Sequence, residues 1–150
     1  MPTRHLTHAA LAALFVLCCG TSFLVGRTAQ APTPGPQLTN KARGGLRMLL
    51  DAPQLGGPEV AAGERSYPAN YLSAEHTHQS IEIIYVLSGE FQHEVNGQTH
   101  VLATGMLGFV KPGDKVRHKT GRVPAKTLMV WVPGADGAAL AKGWVSDPAH

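Results

Sequence analysis

The 150-residue sequence has few cysteines, few charged residues and few aromatic residues. Its only cysteines, Cys18 and Cys19, are adjacent and close to the N-terminus. The chain after Cys19 therefore cannot form an internal disulfide, and any metal site in it lacks a thiolate ligand. Charged residues make up 15% of the chain, and the formal net charge of +3 comes from scattered lysines and arginines. Without a dense basic run, a nucleic-acid interface is not expected.

Glycine and proline, by contrast, are plentiful, with 17 and 11 residues. The length fits one domain, and this turn-forming composition is typical of an all-β domain with short strands.

The N-terminal segment contains the longest apolar run. Residues 9–26 carry no charge and are rich in Ala, Leu, Val and Phe. We predict that residues 1–31 are a signal peptide or a membrane anchor. Ala29-Gln30-Ala31 fits a cleavage site, although Pro32 would hinder processing, and residues 9–26 would contact a membrane if uncleaved. The rest of the chain is then membrane-anchored or secreted, for example to a periplasm.

Three further regions follow. Residues 32–43 are predicted to be a linker, because three prolines in residues 31–36 favour an extended spacer. Residues 44–133 are the predicted globular domain. Residues 134–150 form an Ala- and Gly-rich tail, with a helical turn expected at 138–142 and with Trp144 as a hydrophobic lid on the core.

The domain contains a series of short apolar or alternating segments separated by turn residues. The predicted strands are 46–50, 66–72, 81–87, 90–95, 98–103, 106–110, 115–119 and 127–132. The segment 66–72 is the weakest because Pro68 interrupts it. Asn96-Gly97 predicts a tight hairpin, since both residues tolerate positive φ. The pattern predicts a β-sandwich or small barrel, and a double-sheet jelly roll with a ligand-sized interior fits.

A metal site is predicted where the clearest strand begins. His76, His78 and Glu82 have the same parity, so in an extended chain their side chains point the same way. Two imidazoles and a carboxylate on one face form a plausible metal site, although His-x-His alone also occurs in polar loops.

The same residues resemble the first signature of the cupin superfamily, Gly-(x)5-His-x-His-(x)3-4-Glu-(x)6-Gly. His76, His78, Glu82 and Gly89 fit this spacing. Asn70 replaces the opening glycine, and asparagine is the next best residue for a left-handed backbone. The resemblance implies a cupin jelly roll across residues 44–133.

The second cupin signature, Gly-(x)5-Pro-x-Gly-(x)2-His-(x)3-Asn, is matched less well. Gly105 fits, but Val116 stands where the family has its fourth metal ligand, and His118 follows two residues later. Either a longer turn lets His118 reach the metal, or the fourth ligand is lost. A shift of two residues keeps the parity, so His118 should face the same way as Val116.

Other residues are expected to line the interior. His93 shares a strand face with Phe91, which predicts a core histidine bonded to a backbone carbonyl or, alternatively, an outer or substitute ligand. Five apolar residues are predicted to be plain core residues or, alternatively, walls of an apolar pocket: Ile84, Val86, Phe91, Phe109 and Met129.

The predicted ligands suit Mn, Fe, Ni, Cu or Zn as divalent ions and do not distinguish between them. The resemblance implies dioxygenases, isomerases and decarboxylases as well as non-catalytic ligand-binding or sensory cupins, acting on or binding a small organic molecule. A structural barrel that works through its surface is a third alternative. Cupins also commonly pair, so the resemblance implies a homodimer.

Overall fold

The computed structural model describes residues 34–35, 37–40 and 43–146. The predicted signal peptide or anchor at residues 1–31 lies outside the described residues. In the described part, no helix has the length and apolar character needed to cross a membrane.

Short strands dominate the described residues. In chain order the elements are β1 Gln37–Asn40, β2 Gly44–Leu50, α1 Ala52–Leu55, β3 Ala61–Tyr67, β4 Ile81–Ser88, β5 Glu90–Val95, β6 Gln98–Ala103, β7 Leu107–Val110, β8 Val116–Thr120, β9 Ala125–Val132, α2 Ala135–Lys142 and β10 Val145–Ser146.

The strands form two antiparallel sheets. The larger has the order β10-β1-β2-β3-β9-β4-β7, and the smaller has the order β6-β5-β8. The core lies between them and combines Leu46, Ile84 and Met129 of the larger sheet with Phe91 and Leu102 of the smaller. Burial of one face of each sheet is the main stabilising term of such a sandwich. The predicted jelly-roll fold is confirmed.

Several connections between these strands contain residues with a left-handed backbone conformation, that is, with positive φ. Asn96 and Gly97 have φ of 51° and 82°, so the predicted hairpin between β5 and β6 is confirmed. Asn70 has φ of 57°, as expected for a residue in place of glycine. Gly89, with φ of 78°, joins β4 of the larger sheet to β5 of the smaller, and an added Cβ there would lie 2.4 Å from the Pro124 carbonyl oxygen.

One predicted strand is misplaced. Of residues 66–72, only Ser66 and Tyr67 lie in a strand, because β3 spans Ala61–Tyr67 and ends before Pro68. Its alanines and glycine have low strand propensity, which hides it in the sequence. Pairing with β2 on one side and β9 on the other makes it a central strand. Its side chains alternate, and Ala61, Arg65 and Tyr67 are buried.

The predicted linker and tail are partly structured. Within residues 32–43, β1 pairs with β2 and β10, so the prediction of a continuous spacer is wrong for these four residues. In the tail, the predicted helical turn is the two-turn helix α2. Trp144 is 8% exposed and packs in the core, which confirms its predicted position.

Candidate metal centre

An isolated antiparallel β-bridge positions His76, because it joins the loop before β4 to the start of β8. His76 and Val116 exchange backbone hydrogen bonds of 3.0 and 2.8 Å. Along β8 the side chains alternate, and Val116 and His118 are both buried. His118 therefore faces the same way as Val116, as predicted, and its ring centroid lies 5.1 Å from that of His76.

The structure brings all four predicted site residues together. Glu82 Oε2 lies 3.3 Å from His78 Nε2 and 3.5 Å from His118 Nε2. The ring of His76 lies 4.9 Å from that of His78, measured between centroids. Three imidazoles thus surround one carboxylate.

Glu82 is buried, with 1% of its side chain exposed. Its Oε1 accepts a hydrogen bond of 2.9 Å from Trp131 Nε1. Its Oε2, together with His78 Nε2 and His118 Nε2, is buried without a hydrogen-bond partner in the described part of the chain. Burying polar atoms without partners is unfavourable, and a shared cation is one way to satisfy all three.

The spacing of these atoms fits such a cation. Ligands about 2.0–2.2 Å from one metal ion lie roughly 3–3.5 Å from each other. The two observed separations fall within this range. In the present arrangement, however, no group of three or more His, Cys, Asp or Glu residues among those described has the geometry of a metal site.

Further contacts orient the histidine rings. His76 Nδ1 lies 3.0 Å from the Ala74 carbonyl oxygen. His78 Nδ1 faces Asp136 Oδ2 of α2 at 3.8 Å, and this oxygen also accepts hydrogen bonds from the backbone of Gln79 and Ser80. Contacts of this kind leave Nε2 available as the ligating atom.

The charges in the site follow from these contacts. Burial alone would raise the pKa of Glu82, but His118 and His78 beside it hold that pKa well below its usual range. Burial would lower the pKa of His78, whereas Glu82 and Asp136 raise it above its usual value. For His76, burial lowers the pKa. Glu82 is therefore an anion at neutral pH, and its Oε2 faces the rings of His78 and His118.

His93 is inside the barrel, as predicted, but it has no backbone carbonyl partner. Both ring nitrogens are buried without a hydrogen bond to the described residues. Its ring centroid is 5.3 Å from that of His118. Burial lowers the pKa of His93 to about 4, so the ring is neutral at pH 7.

A cavity of about 520 Å³ is lined by all four site residues. Its wall also includes Arg43, Arg65, Tyr71, Trp131, Asp136 and Leu140. None of the five residues considered as apolar pocket walls lines this cavity, and the expectation of plain core residues is confirmed for four of them. Ile84, Val86, Phe91 and Met129 are fully buried in the core, and Phe109 is 58% exposed because its neighbour Val110 is the inward-facing residue of β7.

Sequence analysis did not identify Trp131, Asp136 or Arg65. Trp131 lies opposite Glu82 in the register of β4 and β9. Asp136 belongs to the tail and contacts His78. The one local signal was the acidic residue in the first turn of α2.

Comparison with known proteins identifies the family. The cupin domain model matches residues 60–132. A search of curated protein sequences finds no match.

Similar solved structures include three bacterial proteins. A Salmonella typhimurium LT2 protein that bears the name ethanolamine utilization protein Q is 27% identical, with a TM-score of 0.53, over 60% of this chain and 69% of that chain. An RmlC-like cupin from Shewanella frigidimarina NCIMB 400 is 20% identical, with a TM-score of 0.58, over 69% and 88%. A Thermotoga maritima protein described as a predicted oxalate decarboxylase is 20% identical, with a TM-score of 0.56, over 69% and 96%. The two-sheet fold agrees with the match to the domain model, and residues 60–132 of this chain form a cupin domain.

Proposed function

We propose that this protein is a metal-binding cupin in which His76, His78, Glu82 and His118 hold one divalent transition metal ion. The observation that carries the proposal is the convergence of three buried ligand atoms without hydrogen bonds, with Glu82 Oε2 3.3 and 3.5 Å from the two histidine nitrogens. Imidazole and carboxylate without thiolate suit Mn, Fe, Ni, Cu or Zn and do not select among them.

The cavity beside these residues is the proposed binding site for a small organic molecule. Its volume of about 520 Å³ is in the usual range for small-molecule sites. A bound ion would supply Lewis acidity or a site for dioxygen. Trp131 would keep Glu82 oriented through its hydrogen bond to Oε1, so that Oε2 remains free to bind the ion. We propose metal-assisted turnover, of the dioxygenase type or related to it.

Binding or sensing without turnover is the second candidate. Asp136 is the other carboxylate on the cavity wall, and its Oδ2 already accepts two backbone hydrogen bonds of 2.8 and 2.7 Å. That engagement makes it a poor general base. If the protein catalyses a reaction, the metal-binding residues alone would have to supply its acid–base chemistry.

The test is the metal content of the full chain, purified without chelator and without a metal-affinity tag, and measured by mass spectrometry. Near-stoichiometric amounts of one of the five metals are expected in the wild type, and none in the His76→Ala/Glu82→Ala variant. The double variant His100→Ala/Glu90→Ala, in which the replaced residues are exposed, is the matched control and should keep its metal. A wild-type protein that stays empty after each metal has been offered would refute the proposal.

We also propose, from the sequence alone, that residues 9–26 direct export or anchor the chain in a membrane. In a bacterial host, the full chain should be found in the membrane or periplasmic fraction, and a variant lacking residues 9–26 should remain in the cytoplasm. Equal distribution of the two would overturn this proposal.

A further inference from the structure

We propose that Arg65 is the anion-binding residue of the cavity and that the ligand is a small organic acid whose carboxylate this residue binds. The inference deepens the proposed function, since Arg65 and the candidate metal ligands line the same cavity. The binding of the acid by Arg65 can nevertheless be tested without a metal.

Arg65 is buried because of its position in β3. The alternation of this central strand turns its side chain inward, and the residue is only 4% exposed. Its guanidinium carbon lies 4.4 Å from the ring centroid of Tyr67 and 5.6 Å from that of Trp144. Nη2 donates a hydrogen bond of 2.9 Å to the Tyr71 hydroxyl. Aromatic faces and one hydroxyl thus hold the guanidinium in place.

These contacts leave the positive charge without a counterion. Among the described residues, no carboxylate lies within ion-pair distance of Arg65, and its Nε is buried without a hydrogen-bond partner. The more exposed Lys119 and Lys126, by contrast, each pair with a glutamate at 2.7 Å. A buried cation that is neither paired nor fully hydrogen-bonded is unfavourable unless a ligand completes it.

The chemistry of the cavity favours a carboxylate as that ligand. A planar guanidinium matches the two oxygens of a carboxylate, and its N–H donors form strong, charge-assisted hydrogen bonds. The cavity wall carries a second cation, Arg43, so Arg43 and Arg65 balance Glu82 and Asp136. A divalent ion at the candidate metal centre would make the wall net positive, which favours an anionic molecule.

The experiment measures the binding of defined probes to the full chain by isothermal titration calorimetry. The probes are straight-chain mono- and dicarboxylates of two to six carbons, with succinamide as the uncharged analogue of succinate and inorganic phosphate as the alternative anion. We expect at least one carboxylate to bind, and Arg65→Met to weaken this binding by about 10- to 100-fold. Arg122→Met, which removes an exposed charge, is the control and should leave the affinity unchanged.

Three outcomes would overturn the proposal: no carboxylate binds to the wild type, succinamide binds as tightly as the best acid, or phosphate binds more tightly than every carboxylate. Undiminished affinity in a folded Arg65→Met variant would overturn it as well. If Arg65→Met does not fold, the acid affinity of Tyr71→Phe is measured instead, because this variant loses only the hydroxyl that accepts the hydrogen bond from Arg65 Nη2. This variant should bind the acid several-fold more weakly, and an unchanged affinity would contradict the proposal.

Metal content measured in the same variants separates this inference from the proposed function. Arg65→Met should keep its metal. Normal metal binding combined with acid binding that does not depend on Arg65 would refute only the present inference. Acid binding that depends on Arg65 in a protein that takes up no metal would refute only the metal site.

Discussion

Glu82 is the residue that connects the core of this protein to its cavity. One carboxylate oxygen is fixed by Trp131 in the core, and the other faces His78 and His118. The indole therefore contributes in two ways, since it satisfies a buried anion and orients a proposed metal ligand.

The substitution Trp131→Phe tests this contribution. It keeps an aromatic ring but removes the N–H, so Glu82 Oε1 loses its hydrogen bond. We expect the free energy of unfolding to fall by about 1–3 kcal/mol. We expect the metal affinity, measured by competition with a chelator, to fall by about 10- to 100-fold.

Trp144→Phe is the matched control for this substitution. The Trp144 indole N–H is also buried but has no hydrogen-bond partner among the described residues. The control should lose some stability, because a smaller ring fills the core less well, but it should keep its metal affinity. Equal losses of metal affinity in the two variants would contradict the assigned contribution of Trp131.

His93 predicts a dependence of stability on pH. Its pKa of about 4 in the folded protein lies below the ordinary value of about 6.5 in an unfolded chain. Between these two pH values the unfolded chain binds a proton that the folded chain does not. His93 therefore makes the free energy of unfolding rise with pH across this window, by up to about 1.4 kcal/mol per pH unit, and the stability is lost as the pH falls toward 4.

Chemical denaturation of the metal-free protein between pH 4 and pH 7 checks this prediction. His93→Leu should reduce the slope. His100→Leu replaces the exposed histidine opposite His93 in β6, which contributes less than burial to the lowered pKa of His93, and should reduce the slope much less. A wild-type slope that His93→Leu leaves unchanged would show that His93 is not buried in its neutral form.

At the scale of secondary-structure elements, the connection between β4 and β5 carries the chain from one sheet to the other. Gly89 occupies this connection with positive φ and beside the Pro124 carbonyl oxygen, whereas Gly97 in the β5–β6 hairpin has positive φ with open space around it. Substitutions at these two glycines therefore distinguish the cost of backbone strain from the cost of steric overlap.

We expect Gly97→Ala to lower the free energy of unfolding by about 1–2 kcal/mol, through the left-handed backbone alone. Gly89→Ala should cost a further ~1–3 kcal/mol, because the new methyl group overlaps the neighbouring chain. Urea denaturation measures both. Equal losses in the two variants would mean that the connection relaxes without cost.

The strands show which elements the sequence could predict. β4 was predictable from its β-branched and aromatic residues, and the β5–β6 hairpin from Asn96-Gly97. β3 was not, because its alanines and glycine carry little local preference and its two neighbours in the sheet make it a strand. Arg65 went unrecognised for the same reason.

At the scale of the whole molecule, strand parity explains how much of the site was predictable. His76, His78 and Glu82 share a parity, so these three could be chosen from the sequence, and the parity that His118 shares with Val116 left it as one of two alternatives. Trp131 and Asp136 could not, since the β4–β9 register and the docking of α2 bring them to the site from distant parts of the chain. The long-range partners of a site depend on the packing of the entire barrel.

We propose that one metal ion is bound by His76, His78, Glu82 and His118. The most direct test is a crystal structure of the metal-loaded protein, with diffraction measured above and below the absorption edge of the bound metal. We expect one strong anomalous peak within coordination distance of Glu82 Oε2 and of ring nitrogens of the three histidines. A peak elsewhere in the barrel, or a loaded crystal without a peak among these four side chains, would contradict it.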